Sequence, residues 1–152
     1  GADTVVAQGR RLLAKTDSEA EARRWLRLMS GRSHRVLTGV AAIGPDGRRA
    51  LRVAEARVRF KRLTEREIDG YLQTGEWKGK AGAYAIQGQA GAFVIAVQGS
   101  YTAIVGLPLY ATRTLLQGVG FGLPLPPGAP ISTPRPASVA ASSRRTAAPS
   151  GR

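Results

Sequence analysis

Two neighbouring stretches, HRVLTGVAAIG at 34–44 and RALRVAEARVRFKRL at 49–63, restrict the fold more than any other feature of this chain. Both alternate in polarity, and the Pro45-Asp46-Gly47 segment between them is turn chemistry, so they predict two strands of a hairpin-like pair. In the second stretch Val53, Arg57 and Arg59 share one face, and Ala54, Val58 and Phe60 share the other. A sheet therefore sits at the centre, and the remaining segments have to pack on it or extend it.

The flanking segments supply both kinds of element. Residues 2–7 are a short β-branched apolar run that reads as a buried strand. Ser18 is placed as an N-cap before EAEARRWLRLMSG, where Ala22, Trp25, Leu26 and Met29 fall on one helical face and Gly31 ends the segment. Thr64 and Glu67 form a capping box ahead of a second helix with Ile68, Tyr71 and Leu72 as its apolar stripe. AFVIAVQGS and YTAIVG read as strands around a Gly-Ser turn, and Pro108 as the first residue of a last helix that reaches Gln117. The order predicts an α/β protein, a mixed twisted sheet with helices packed on it.

Composition sets the limits of function. The chain has 152 residues and a net charge of +13. Residues 123–152 hold seven of the nine prolines, four arginines and no acid, and they read as a disordered Pro/Ala/Ser/Arg-rich tail. Without those arginines +9 remains on residues 1–122, the expected folded domain, so a polyanionic partner is in view. There are no cysteines, which removes disulfides, thiolate zinc sites and a cysteine nucleophile. No apolar run is long enough to span a bilayer, and the expectation is a cytoplasmic protein without a membrane partner. The chain opens on Gly1 and its one methionine is Met29, which reads as a protein whose beginning is missing. The basic residues are scattered, with no aromatic stacking platform or recognition helix, which argues against nucleic acid.

Few residues carry chemistry. GEWKGKA is one residue short of a phosphate loop and has Ala81 where a metal-binding hydroxyl belongs. GVGFG at 118–122 leads into prolines rather than a helix. His34, the single histidine, has no triad pattern around it and reads as a polar residue at a strand start. What remains is Asp3 and Thr4 in the first strand, Lys15, and Lys80 with Gln87 in GKAGAYAIQGQAGAF (79–93), a segment with four glycines and no acid. Glycine lets backbone approach another body closely. An aspartate can take a proton from water or hold a hard cation, lysines neutralise phosphate, and a glutamine amide can pair with a base edge. Each also has a plain reading: Asp3 as a turn residue, solvated lysines, and Gln87 satisfying backbone groups.

Five blocks, GADTVV, SGRSHRVLTGVAAI, VRFKRLTEREIDGYLQTGEW, GKAGAYAIQGQAGAFV and GSYTAIVGLPLYATRTLL, together resemble, in order, the Maf family, also called septum formation protein Maf, over residues 1 to about 120. The resemblance implies a nucleotide cleft on a fold like that of inosine triphosphate pyrophosphatase. It also implies a nucleoside triphosphate pyrophosphatase that cleaves between the α and β phosphates with a divalent metal, Mg2+ or Mn2+, and that forms a homodimer. By the same resemblance Asp3 is the general base and a potential metal ligand, Lys15 and Lys80 neutralise the triphosphate, and Thr4 and Gln87 match the branch acting on dTTP and UTP. Ala14, Thr16, Trp77 and Ala85 depart from common family residues without removing these side chains. The family's opening Ser-x-Ser-Pro-Arg-Arg phosphate loop does not occur in the sequence. The alternative reading is a catalytically impaired, truncated Maf homologue that binds nucleotide or restrains septum formation.

Overall fold

A computed structural model describes residues 1–122, so the expected tail at 123–152 lies outside the described residues. The central hairpin forms as the alternation requires. Ser33–Ile43 and Arg49–Phe60 pair antiparallel from Ser33 opposite Arg59 to Ile43 opposite Arg49. With the first strand, β1 (Ala2–Gln8), a three-residue strand, β2 (Arg11–Leu13), and β5 (Val94–Gly99), the hairpin strands β3 and β4 make a five-stranded sheet. Its order is β2-β1-β3-β4-β5, and every pairing is antiparallel.

The even-numbered residues of the hairpin, His34, Val36, Thr38 and Val40 with Ala56, Val58 and Phe60, point into the core. Helices α1 (Glu19–Met29) and α2 (Glu65–Thr74) bury the stripes read from the sequence, with Leu26, Met29, Ile68 and Tyr71 at 2 % exposure or less. Ser18 caps α1 by accepting from the Glu21 amide, and the Thr64–Glu67 box is reciprocal, with Glu67 accepting from the Thr64 amide at 2.9 Å. Gly75 at φ 72° closes α2 in the left-handed conformation that glycine adopts without a Cβ penalty.

The structure corrects two readings. YTAIVG is not a strand: Tyr101–Val105 is a short helix, α3, because Ser100 accepts from the Ala103 amide as an N-cap and Gly106 at φ 127° stops the chain. Ala103 is fully buried against β3, where Thr38 donates its hydroxyl proton to the Ala103 carbonyl at 2.7 Å. Pro108 is the N-cap of the last helix, α4 (Leu109–Gly118), which therefore starts one residue later than expected. The sequence reading also passed over β2 and a 3-10 turn at Gln89–Phe93.

His34 is 1 % exposed, with Nε2 at 2.8 Å from Tyr84 Oη and Nδ1 buried without a partner. Burial disfavours its charged form and lowers its pKa to about 4. The unfolded chain therefore takes up a proton near pH 6.5 that the folded chain refuses until about pH 4. Stability should be full above pH 6.5 and fall by about 3 kcal/mol as pH drops to 4, a loss that urea titrations at several pH values should show and that His34→Gln should remove.

Candidate active site

A cleft of about 300 Å³ opens at the β1 end of the sheet, between that strand, the glycine segment and α3. This is the lower end of small-molecule sites. Its floor is apolar, from Val6, Val36 and Ile104, while Asp3, Thr4, Lys15, Lys80 and Gln87 bring polar groups to its walls. All five residues singled out in the sequence therefore line one cavity.

The glycine segment is held there by backbone bonds to the β2 edge. The Gly79 amide donates to the Thr16 carbonyl at 3.2 Å, the Gly82 amide donates to the Leu13 carbonyl at 3.0 Å, and Lys15 and Ala81 form an isolated antiparallel bridge. At Gly82 the reason for glycine is steric: φ is +68°, and a Cβ would sit 3.0 Å from Val6 Cγ1. The next residue, Ala83, keeps a positive φ of 56° although it has a Cβ, and it is fully buried. Beyond it Tyr84 turns into the core against His34 and Phe60, Tyr71 Oη accepts from the Ala85 amide at 3.1 Å, and Glu76 accepts from the Gln89 amide at 2.8 Å. Lys80 and Gln87 are thus carried on a pinned loop, and their side chains make no hydrogen bond or ion pair among the described residues.

Across the cleft, Lys15 Nζ donates to Asp3 Oδ1 at 2.8 Å. That bond, with a contribution from the Thr4 backbone, holds the Asp3 carboxyl below its ordinary pKa. Both side chains stay more than half exposed. Thr4 belongs to a hydroxyl chain: Thr38 spends its proton on the Ala103 carbonyl, so Thr4 Oγ1 donates to Thr38 Oγ1 at 2.8 Å and keeps its lone pairs for the cleft. Asp3 is the one carboxylate lining the cavity, and no group of three or more His, Cys, Asp or Glu side chains suited to a metal ion occurs among the described residues.

Thr38, Tyr84 and the α3 residues Ile104 and Val105 are the contributors that sequence reasoning missed. Thr38 gave a signal, a hydroxyl in the inward-facing row of β3. The α3 pair gave none once that segment had been read as a strand.

The sequence is 65 % identical over 120 residues to a dTTP/UTP pyrophosphatase of Maricaulis maris, a match covering 79 % of this chain and 58 % of the relative. It is 58 % identical over 120 residues to a dTTP/UTP pyrophosphatase of Caulobacter vibrioides, covering 79 % and 62 % of the two chains, and 59 % identical over 121 residues to one of Agrobacterium fabrum, covering 80 % and 58 %. The chain thus spans about three-fifths of the length of the curated relatives it matches. The family described as Maf-like protein matches residues 1–119, nearly the whole described region, and the chain belongs to that family.

Proposed function

We propose that this chain forms the base-reading and water-activating part of a nucleoside triphosphate pyrophosphatase acting on dTTP and UTP. The observation that carries the reading is the convergence of Asp3, Thr4, Lys15, Lys80 and Gln87 on one cleft from positions up to 84 residues apart in sequence. The names of the relatives support the substrate class.

In this reading the Asp3 carboxylate takes a proton from a water, whose oxygen attacks the α phosphorus. The bond to the α-β bridging oxygen breaks, and pyrophosphate leaves with the nucleoside monophosphate. Lys80 faces the phosphates, and Gln87 reads the O4 and N3 edge common to thymine and uracil. Lys15 has two tasks. It lowers the basicity of Asp3 in the free protein, and when the triphosphate draws its ammonium away, the carboxylate regains basicity at the moment a base is needed.

A divalent cation fits this site only as a companion of the substrate. Magnesium is commonly held by one or two carboxylates together with phosphate oxygens, and Asp3 is the carboxylate available. Bound there, Mg2+ or Mn2+ would neutralise phosphate charge. Free nucleotide pools and the lack of cysteine fit a cytoplasmic setting. No helix among the described residues is long and apolar enough to cross a membrane. The family resemblance adds a homodimer, which light scattering tests directly.

The decisive experiment follows the products of dTTP and UTP in the full gene product. Formation of dTMP or UMP with pyrophosphate is expected, whereas orthophosphate would place the cleaved bond elsewhere. Lys80→Ala should raise KM for dTTP about 10-fold or more, and Gln87→Ala should erode the preference for dTTP over dCTP by about 10-fold. A second reading, nucleotide binding without turnover, is favoured by the lining of the cleft, which among the described residues holds one carboxylate and no arginine. Saturable dTTP binding with no product would select it.

A further inference from the structure

Thr4 of β1 stands directly opposite Thr38 of β3, so the two hydroxyls share the inward face of the sheet. The direction of the bond between them is decided one partner further on. Thr38 is fully buried, its Oγ1 lies 2.7 Å from the Ala103 carbonyl, and a carbonyl can only accept, so the single Thr38 proton goes there. Thr4 Oγ1, 2.8 Å from Thr38 Oγ1, therefore supplies the proton of the second bond. Toward the cleft Thr4 has lone pairs and nothing to donate. Gly106, which lines the same cavity, leaves that side of the hydroxyl open, since even a Cβ there would lie only 3.8 Å from Thr4 Oγ1.

Gln87 lacks such a fixed polarity. Its side chain is exposed, and its amide carries an acceptor and two donors that exchange places when the group turns over. Thymine and uracil present the O4 acceptor beside the N3–H donor, whereas cytosine presents a 4-amino donor beside an N3 acceptor. An amide free to turn over pairs with either edge, so Gln87 alone cannot tell them apart. We propose that Thr38 is a positioning residue for base selection: by taking the Thr4 proton it makes Thr4 a pure acceptor, and that acceptor fixes the Gln87 amide in the orientation that suits thymine and uracil. One amide hydrogen of Gln87 goes to Thr4 Oγ1 and the other to O4, while Oε1 accepts from N3–H. With cytosine the amide has to turn over, and its Oε1 then meets the Thr4 lone pairs, acceptor against acceptor. The selection thus begins at a backbone carbonyl of α3 and reaches the base through two hydroxyls and an amide. This inference rests on the dTTP and UTP reading of the cleft and adds to it the device that rejects cytosine.

The test uses the full gene product and the pair dTTP and 5-methyl-dCTP, which differ only in the 4-substituent and the N3 proton. The parent should prefer dTTP by about 10-fold or more in kcat/KM. Thr38→Val keeps the branched shape and removes the hydroxyl, and the Ala103 carbonyl retains the Gly106 amide as a donor at 3.1 Å. It should lower the preference about 10-fold, because the Thr4 proton is then free to turn toward Gln87. Thr38→Ser, which restores the proton, should keep the parental ratio. Thr4→Val removes the acceptor while leaving the Thr38 bond to Ala103 in place, and it should lower the ratio as Thr38→Val does, including where the latter fails to fold. Equal losses on both nucleotides, with the ratio within about twofold of the parent in both valine variants, would reduce Thr38 to a structural role and overturn the proposal. A parent without the preference would overturn it too. If no nucleotide yields pyrophosphate, the hydrolytic reading fails by itself, and the ratio of dTTP to 5-methyl-dCTP affinities from calorimetry, in the parent and the same variants, decides this proposal by the same criteria.

Discussion

Asp3→Asn should lower dTTP hydrolysis by about 10²- to 10⁴-fold, the usual contribution of a positioned general base, while dTTP binding stays within about threefold of the parent. The separation is expected because asparagine keeps the shape and one acceptor of the carboxylate but cannot take a proton from water. The fold should be indifferent to the change, since Asp3 is exposed and its one side-chain partner is Lys15. Measured without divalent cation, binding has no reason to weaken when a negative charge is removed from a cleft that receives a triphosphate. The pH profile gives a second readout. Lys15 holds the Asp3 carboxyl below its ordinary range in the free protein, so in Lys15→Ala the acidic limb of the kcat/KM profile should move to higher pH. Rapid-quench assays with the variant, alongside calorimetric binding of dTTP, check both statements. Turnover within about fivefold of the parent would assign the base to another group.

Much of the architecture could be read from local rules, and the failures have physical causes. The Thr64–Glu67 box and the stripes of α1 and α2 formed as read because cap and period agree with what the core demands. Residues 101–105 misled because Tyr, Thr, Ile and Val favour strands, while a helix of five residues is too short to display its period; Ser100 and Gly106 were the informative positions. Strand β2 has three residues and gains its stability from pairing with β1, a tertiary effect that no window of sequence carries. The glycine segment announced a close approach but not its partner, which proved to be Val6 and the β2 edge. Convergence of Lys80 and Gln87 on Asp3 was legible only through the family resemblance, since charge and spacing say nothing about which loop folds back on which strand. The Thr4–Thr38–Ala103 chain lay beyond both, because it required knowing that α3 sits on β3.

Phe60→Ala is expected to cost about 3–5 kcal/mol, as large-to-small changes at aromatic core sites do, and so to consume a large share of the marginal stability of a domain this size. Phe60 is 1 % exposed and stands at the centre of four rings: His34, Tyr84 and Phe93 approach it edge-on, at centroid distances of 4.9, 5.0 and 6.1 Å, and Tyr71 extends the cluster through Phe93. The cluster has little freedom to collapse around the lost ring. Tyr84 is tied to His34 by a hydrogen bond, Tyr71 to the Ala85 amide, and the Phe60 amide itself donates to the Arg32 carbonyl. The cavity should therefore stay largely open, which places the loss in the upper part of the range. Function should suffer with stability, because Tyr84 is the residue by which the loop bearing Lys80 and Gln87 is anchored in the core. Below the unfolding transition, dTTP affinity of Phe60→Ala should fall even where the protein remains folded, while Val97→Ala, a change at an exposed β5 position, should leave both quantities near parental values. Urea denaturation and nucleotide titration on the same samples separate the two effects. A loss under about 1 kcal/mol with unchanged affinity would mean that the rings repack freely and that the loop is held by its backbone bonds alone.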